Sequence, residues 1–373
     1  MVSSYLKWFK TEFTQRRKFF DKGMMRAVII LSIFSLLFVY SATYRQDGFF
    51  YLKKELFWLV VGYITFFIFS TLDYRWYSKI SWPLYIFNIL MLGSVYAIGK
   101  SAKGAQRWIS VGGIQIQPSE FAKILILITL ITLIAKCYPK GVKGFRDILR
   151  TFIHIFPAFI LILKQPDLGT SLIILFLYCF IIFAYEVDLK KFLSLIVIII
   201  AMIPVFFHFL KPFQKARLLV FLDPDKYSQG AGWNVIQAKI AVGSGGLFGQ
   251  GIFHGTQNQL NFLPESHTDF IFGVISEEIG FIGSTVLILL YVYIVIKLLK
   301  HARNVDDVFG KLFIYGAAMI IFCHTFINIG MVIGILPAVG VPLILMSYGG
   351  TSFMLFFMLI GISQNIIARN AGR

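Results

Sequence analysis

Three ionisable residues stand close together where a long polar loop runs into an apolar segment: Glu265, His267 and Asp269. An ionisable group at the edge of a membrane segment is costly unless it has a function, and the chemistry open to this set is proton transfer with a bound substrate. A second interpretation stays open, because acidic residues favour first helical turns and their dipole. Ser266 or Thr268 would then cap the helix, and His267 would only hydrogen-bond the loop.

Two basic residues are candidates for binding an anion. Lys103 and Arg107 lie in a polar loop that ends in Trp108, a residue type suited to the headgroup level. These two cations either bind a phosphate or simply flank the membrane, and sequence physics favours neither reading.

Lys123 falls inside an apolar segment, where a cation needs a partner or a cavity. Glu120 stands one helical turn before it, and Asp167 stands at the start of another apolar segment. Either carboxylate is a candidate partner for Lys123. Buried charge pairs serve packing as well as chemistry, so Glu120, Lys123 and Asp167 have a structural or a functional role.

The elements that must position these residues are membrane helices. Hydrophobic residues make up 58% of the chain and charged residues 14%, which no soluble domain of 373 residues accommodates. A bilayer core of ~30 Å needs ~20 helical residues. We therefore predict an all-α polytopic integral membrane protein with about ten transmembrane helices. The predicted spans lie near 25–43, 56–72, 83–98, 121–136, 151–163, 169–185, 192–210, 269–296, 312–335 and 341–367.

A long loop, 211–268, interrupts the hydrophobic pattern between the seventh and eighth spans. Its apolar pieces at 216–222 and 233–242 predict a partly helical loop, with Gln237 and Lys239 facing polar surroundings. The glycine run that follows, 243–246, is better explained as a helix end and turn than as a phosphate cradle. Residues 1–24 are predicted to be a cytoplasmic N-terminal segment, and 25–373 a single membrane domain.

The distribution of cations predicts the orientation. With the N-terminus inside, 22 of the 35 Lys and Arg residues lie on the inner side, 12 lie outside and Lys123 lies within a span. This asymmetry favours cytoplasmic termini, which places the loop with Asp269 on the extracytoplasmic face. The net charge of +17 then reflects contact with anionic lipid rather than nucleic acid. Cys137, Cys179 and Cys323 suggest neither disulfides nor a metal site.

Six polar motifs occur in an order that resembles the SEDS family (shape, elongation, division and sporulation), over roughly Arg26 to the C-terminus. They are Lys103–Trp108, Gln117–Glu120 with Lys123, Gln165–Thr170, Gly243–Gly249, Pro264–Phe272 with Glu277–Gly280, and Asn328–Gly330 with Ser347–Gly350. The stretch from His254 to Leu263 resembles the elongation branch of the family more than its division branch.

The resemblance implies a peptidoglycan glycosyltransferase that polymerises lipid II on the outer face of the bacterial cytoplasmic membrane during cell elongation. The essential acidic residue of the family corresponds to Asp269. Because the reaction inverts the anomeric carbon, one carboxylate suffices as the general base. Lys103, Arg107 and Lys239, with Glu265 and His267, are candidates for binding the substrate and its diphosphate. A divalent cation such as Mg or Mn is a possible cofactor, and no organic cofactor is expected.

The implied partners are lipid II, undecaprenyl diphosphate, membrane lipid, proteins of the elongation complex and a class B penicillin-binding protein, which supplies the transpeptidase that this chain lacks. Small residues of the late spans, Gly280, Gly283, Gly330 and Gly334, are predicted to let the partner helix approach. Two other functions stay open. A lipid II flippase would use the intramembrane charges and broken helices as a path, and a non-catalytic scaffold would tolerate neutralisation of Asp269.

Overall fold

The computed structural model of this chain describes residues 17–102, 105–112, 114–139, 141–185, 187, 189–210, 212–223, 225–227 and 232–371. Helices dominate it, in agreement with the predicted fold class. The helices are α1 (Lys22–Asp47), α2 (Phe50–Thr71), α3 (Arg75–Lys79), α4 (Ser81–Ile98), α5 (Pro118–Cys137), α6 (Phe145–Lys164), α7 (Leu168–Ala184), α8 (Leu189–Phe209), α9 (Pro212–Leu222), α10 (Trp233–Ser244), α11 (Thr256–Gln259), α12 (Ile271–Arg303), α13 (Val308–Val332) and α14 (Gly350–Ala371). Single 3₁₀ turns occupy Arg17–Phe19 and Asp225–Tyr227.

Each of the ten predicted spans falls mainly within one long helix. Among the described residues, five helices are long and apolar enough to cross a membrane: α1, α4, α12, α13 and α14, with Leu168–Ala184 as a shorter apolar helix. The number of crossings therefore stays a prediction. Inside the bundle, α14 packs along α2, and α12 packs along α13.

The last predicted span begins later than expected. Helix α14 starts at Gly350 rather than near residue 341, and the segment 333–349 between α13 and α14 is not helical. Pro337 and Pro342 lie in this segment, and proline lacks the amide hydrogen that a continuing helix needs. Several residues of the segment are nevertheless buried, including Val341, Leu343 and Ile344.

A small antiparallel sheet was not foreseen. Strands β1 (Lys100–Ala102), β2 (Ala105–Val111) and β3 (Ile114–Ile116) lie side by side in that order, with Lys100 opposite Trp108 and Ile109 opposite Ile116. The sequence interpretation treated this region as a headgroup-level loop. The sheet gives Arg107, on β2, a fixed backbone beside the start of α7.

The long loop between the seventh and eighth predicted spans contains both predicted helical pieces, α9 and α10. One detail of the prediction is wrong: Gln237 is buried together with Val235, Ala238 and Ala241, because α10 packs that face against α12. Lys239 is exposed, as expected. The amphipathic pattern predicts the position of α10 correctly, but the helix face that carries Gln237 is buried rather than exposed.

Helix α12 is broken at Gly280, whose backbone is far from helical at φ 65° and ψ −166°. Four backbone hydrogen bonds to the preceding glycine loop, residues 245–251, satisfy the peptide groups on both sides of the break. Gln250 and Gly251 donate to the carbonyls of residues 277 and 278, while the amides of residues 281 and 282 donate to those of residues 246 and 247. A Cβ on Gly245, Gly249 or Gly280 would collide with backbone. The glycine run is therefore a close backbone contact, which favours the turn interpretation over a phosphate cradle.

The proposed small-residue surface for a partner helix is largely filled from within the chain. The space beside Gly280 is taken by backbone of residues 247–249, that beside Gly330 by Leu336, and that beside Gly334 by Lys239. At Gly283 an added Cβ would meet the Ile279 side chain of the same helix. The close approach at Gly280, Gly330 and Gly334 is thus made within the chain, and the surface that a partner helix binds stays a prediction.

At the opposite end of the bundle from the long loop, Asp21 joins three helices. Its carboxylate caps α1 by accepting from the Met24 amide at 2.9 Å, and it lies 3.0 Å from Lys297 Nζ and 2.8 Å from His301 Nε2 of α12. Its own amide donates to Gln364 Oε1 of α14 at 3.0 Å. This set of contacts ties the first, eighth and last predicted spans together.

Candidate active site

Asp269 lies half-buried immediately before α12. Its carbonyl accepts a hydrogen bond of 2.8 Å from Asn328 Nδ2 of α13. Its carboxylate faces the non-helical segment: a Cβ added to Gly340 would lie 3.2 Å from Asp269 Oδ2 and 3.3 Å from Arg217 Nη1. Those two atoms are thus separated by at most the sum of these distances, about 6.5 Å. The proposed base therefore stands beside a guanidinium.

Arg217 comes from α9 in the long loop and was not singled out from the sequence. Burial lowers its pKa, as does the neighbouring Arg107, whereas Asp269 and Asp167 act in the opposite direction. An arginine starts from so high a pKa that it keeps its charge at neutral pH. Arg217 therefore interacts electrostatically with two carboxylates, Asp269 and Asp167, and with one other cation, Arg107. In the sequence, Arg217 is distinguished only as the single cation of an otherwise apolar stretch, 216–222.

Arg107 is held by the start of α7. Its Nε donates to the Gln165 carbonyl at 3.3 Å, its Nη2 donates to the Pro166 carbonyl, and its Nη1 lies 3.8 Å from Asp167 Oδ1. A guanidinium has five N–H donors, so these contacts leave some for a ligand. The structure places this predicted cation near Arg217 and engages its guanidinium with the carbonyls of residues 165 and 166 and with Asp167.

Asp167 is buried and caps α7, accepting from the Thr170 amide at 3.2 Å. Its other oxygen accepts from Ser119 Oγ at 2.8 Å and Gln117 Nε2 at 3.1 Å. Burial alone would raise the pKa of this carboxyl, but Arg107 and the hydrogen bonds outweigh it and hold the pKa below its ordinary value. Asp167 is consequently an ionised anchor for Arg107.

Lys123 pairs with Glu120 and not with Asp167. Its Nζ lies 2.6 Å from Glu120 Oε1 and also 2.6 Å from Nε2 of His324, a residue of α13. All three side chains are buried. Of the two partners considered from the sequence, the nearer one along the helix is correct. Asp167 is taken by Arg107, Ser119 and Gln117, so it is not the partner of Lys123.

His267 and Glu265 frame the turn that precedes α12. The His267 carbonyl accepts from the Tyr348 amide at 2.8 Å, and its ring lies against Tyr51, with ring centroids 4.7 Å apart. Glu265 has a left-handed backbone (φ 56°), and its carboxylate accepts from Thr268 Oγ1 at 3.1 Å. Neither Ser266 nor Thr268 caps the helix, because it begins at Ile271 with no side-chain cap. Both candidates thus shape the loop that carries Asp269.

The other two predicted cations are not brought to the same point by the contacts described. The Lys239 side chain lies directly over Gly334, in the segment that also contains Gly340. Lys103 lies outside the described residues. Among the residues that are described, no group of three or more His, Cys, Asp or Glu side chains is arranged to hold a metal ion.

Comparison with known proteins gives consistent matches over nearly the whole chain. The family FTSW_RODA_SPOVE, described as cell cycle protein, matches residues 22–371. The peptidoglycan glycosyltransferase MrdB of Escherichia coli K12 is 36% identical over 363 residues, covering 95% of this chain and 97% of that protein. A solved structure described as a peptidoglycan synthase complex that coordinates polymerization and crosslinking matches with a TM-score of 0.79 at 25% identity, over 95% of this chain and 99% of that one.

A crystal structure of a mutant of the rod shape determining protein RodA of Thermus thermophilus also matches, with a TM-score of 0.69 and 25% identity, over 93% of this chain and 97% of that one. Its rod-shape name agrees with the resemblance to an elongation branch.

Proposed function

The chain belongs to the FtsW, RodA and SpoVE family of cell cycle proteins, and from this premise we infer that it is a peptidoglycan glycosyltransferase. The six polar motifs recognised in the sequence are those of this SEDS family. The observation that carries the assignment to the site is the half-buried carboxylate of Asp269 facing Arg217 across Gly340. Glycan polymerisation is therefore proposed to take place at Asp269 and Arg217.

Asp269 is the proposed general base. Joining the disaccharide of lipid II to a glycan strand by a β-1,4 bond displaces an α-linked diphosphate, so the acceptor 4-hydroxyl attacks the anomeric carbon from the opposite face. As the C–O bond forms, the hydroxyl proton passes to the Asp269 carboxylate, and the bond to the diphosphate oxygen breaks. A single carboxylate meets this requirement, because no covalent glycosyl intermediate is formed in an inverting reaction.

Arg217 and Arg107 are the proposed stabilisers of the leaving diphosphate. Negative charge grows on that group as the glycosidic bond breaks, and fixed cations in a partly buried site stabilise it without reorganisation. Arg217 is the stronger candidate, because the carbonyls of residues 165 and 166 and Asp167 already occupy most of Arg107. Lys239 and Lys103 remain candidates for more distal substrate contacts, and a divalent cation such as Mg or Mn, which would help to neutralise the diphosphate charge, remains a prediction.

The substrate and partner follow from the same premise. The proposed donor is lipid II, the lipid product is undecaprenyl diphosphate, and the site lies on the extracytoplasmic face of the inner membrane. The complex named among the structural matches couples polymerization to crosslinking, so a class B penicillin-binding protein is the proposed partner here. The partner is proposed to raise activity by ordering the loop that carries Asp269, as a shift in population.

The test uses purified chain with fluorescent lipid II, with and without the penicillin-binding partner. We expect glycan polymer from the wild type and none from Asp269→Asn, which removes the base but keeps the side-chain shape. Asp223→Asn is the matched control, since Asp223 is an exposed aspartate of the same outer loop. Polymer made at the wild-type rate by Asp269→Asn would refute the base assignment. Lipid II translocation without any polymer would instead support the flippase, and partner-dependent polymer from Asp269→Asn would support the scaffold.

A further inference from the structure

The non-helical segment 333–349 forms one wall of the proposed site. A Cβ added at Gly340 would lie against both Asp269 and Arg217, and the nearby residues Val341 and Leu343 are buried. A segment without helical hydrogen bonds leaves its carbonyls to other partners, and in a membrane domain such groups must be satisfied within the protein. What holds these carbonyls therefore sets the position of the wall against Asp269.

Two side chains of α13 hold this wall. Asn328 Nδ2 donates to the Val341 carbonyl at 2.8 Å while also holding the Asp269 carbonyl at 2.8 Å. One helical turn earlier, His324 Nδ1 lies 3.0 Å from the Pro342 carbonyl. Residues four apart lie on the same helix face. The two contacts thus clamp consecutive carbonyls next to the residue that touches the catalytic pair.

The hydrogen-bond direction at His324 is fixed. A carbonyl oxygen only accepts, so His324 Nδ1 carries the proton. In the neutral ring Nε2 is then an acceptor, and it faces Lys123 Nζ at 2.6 Å, which only donates. Glu120 Oε1 accepts from the same ammonium group at 2.6 Å. The alternative tautomer, with its proton on Nε2, would point an N–H at the ammonium group and leave Nδ1 without a proton for the carbonyl. Lys123 therefore selects the tautomer that donates to Pro342.

We propose that His324 is a positioning residue for glycan polymerisation, and that the Lys123–Glu120 pair acts through it. The chain of contacts runs from Glu120 through Lys123 and His324 to the Pro342 carbonyl, and the wall it fixes includes Gly340. Its role is to keep Asp269 and Arg217 at their working separation. This inference rests on the proposed function for its kinetic part and on geometry alone for its structural part.

Two substitutions of His324 test the roles of its two ring nitrogens separately. Asparagine carries its amide near the place of Nδ1 and keeps a donor for Pro342, whereas glutamine carries its amide near the place of Nε2 and loses that donor. We expect His324→Gln to lower kcat roughly 10- to 100-fold with little change in KM, because small misplacements of reacting groups are costly. His324→Asn should retain most of kcat. His154→Gln, at a half-buried histidine of α6, is the control for loss of an imidazole.

Hydrogen exchange provides a readout that does not depend on activity. The amides of Leu343 and Ser347 are hydrogen-bonded within the wall, to Ser347 Oγ and to the Leu343 carbonyl. They should exchange faster in His324→Gln than in His324→Asn or His154→Gln. If His324→Gln does not fold, Glu120→Gln/Lys123→Met serves instead, since it removes the selection of the tautomer, and the same two amides should exchange faster.

Unchanged exchange at both amides, or equal loss of kcat in the asparagine and glutamine variants, would overturn the proposal. A wild-type protein that makes no glycan would count against the proposed function, while the exchange comparison would still decide the role of His324.

Discussion

Gly340→Ala tests the geometry of the catalytic pair directly. Gly340 has φ 75°, and a Cβ there would stand 3.2 Å from Asp269 Oδ2 and 3.3 Å from Arg217 Nη1. Contacts this short require the neighbours to move by a few tenths of an ångström. Since a 1 Å misplacement costs ~100-fold in rate, a shift of ~0.3–0.5 Å costs about 4- to 10-fold. The left-handed backbone adds a stability loss of about 1–2 kcal/mol for alanine.

Gly112→Ala is the matched control, because Gly112 has φ 56° in the turn between β2 and β3 with nothing within 4 Å of its added Cβ. Both variants should lose similar stability in thermal unfolding, since they share the backbone strain. Only Gly340→Ala should slow the initial rate of glycan formation from lipid II. Equal rates in the two variants would refute the placement of Gly340 against Asp269 and Arg217.

Two further predictions concern charges away from the reacting atoms. Neutralising Lys123 alone by Lys123→Met should destabilise the protein by about 3–5 kcal/mol because Glu120 is left buried and unpaired, while adding Glu120→Gln should recover part of the loss in thermal unfolding. Strictly additive losses would argue against the pair. Burial would raise the pKa of Asp21, but hydrogen bonds from His301 and the Met24 amide, together with Lys297, lower it from 3.8 to about 2. This depressed pKa gives stability that is present above pH 3.8 and is lost as pH falls through about 2. The unfolding temperature of the wild type should therefore exceed that of Asp21→Asn at neutral pH, by a margin that shrinks on acidification; a constant margin would contradict the assignment.

The helices could be predicted from the sequence because hydropathy and length decide them locally. The predicted segment 83–98 lies inside α4, and 121–136 lies inside α5. The break at Gly280 could not be predicted in the same way, since its backbone conformation depends on hydrogen bonds to a loop some 30 residues earlier.

The candidate site was only partly accessible from the sequence. Asp269 and Arg107 lie in polar motifs and were found, whereas Arg217 stands in an apolar stretch of the loop and was missed. His324 was missed because its partner Lys123 is 201 positions away, and no local pattern reveals such a contact. A lone histidine within the apolar run of α13 was the only signal available.

The paired break in α12 determines which changes the preceding loop should tolerate. The amides and carbonyls at the break, residues 277–282, find their partners in the backbone of residues 246–251, roughly 30 positions earlier in the chain. The entropic cost of closing such a connection rises slowly, by about 0.6 kcal/mol for each doubling of its length. A side chain added at Gly245, Gly249 or Gly280 would instead collide with backbone and separate the hydrogen-bonded groups. Insertions between residues 251 and 277 should therefore be tolerated far better than any substitution of these glycines.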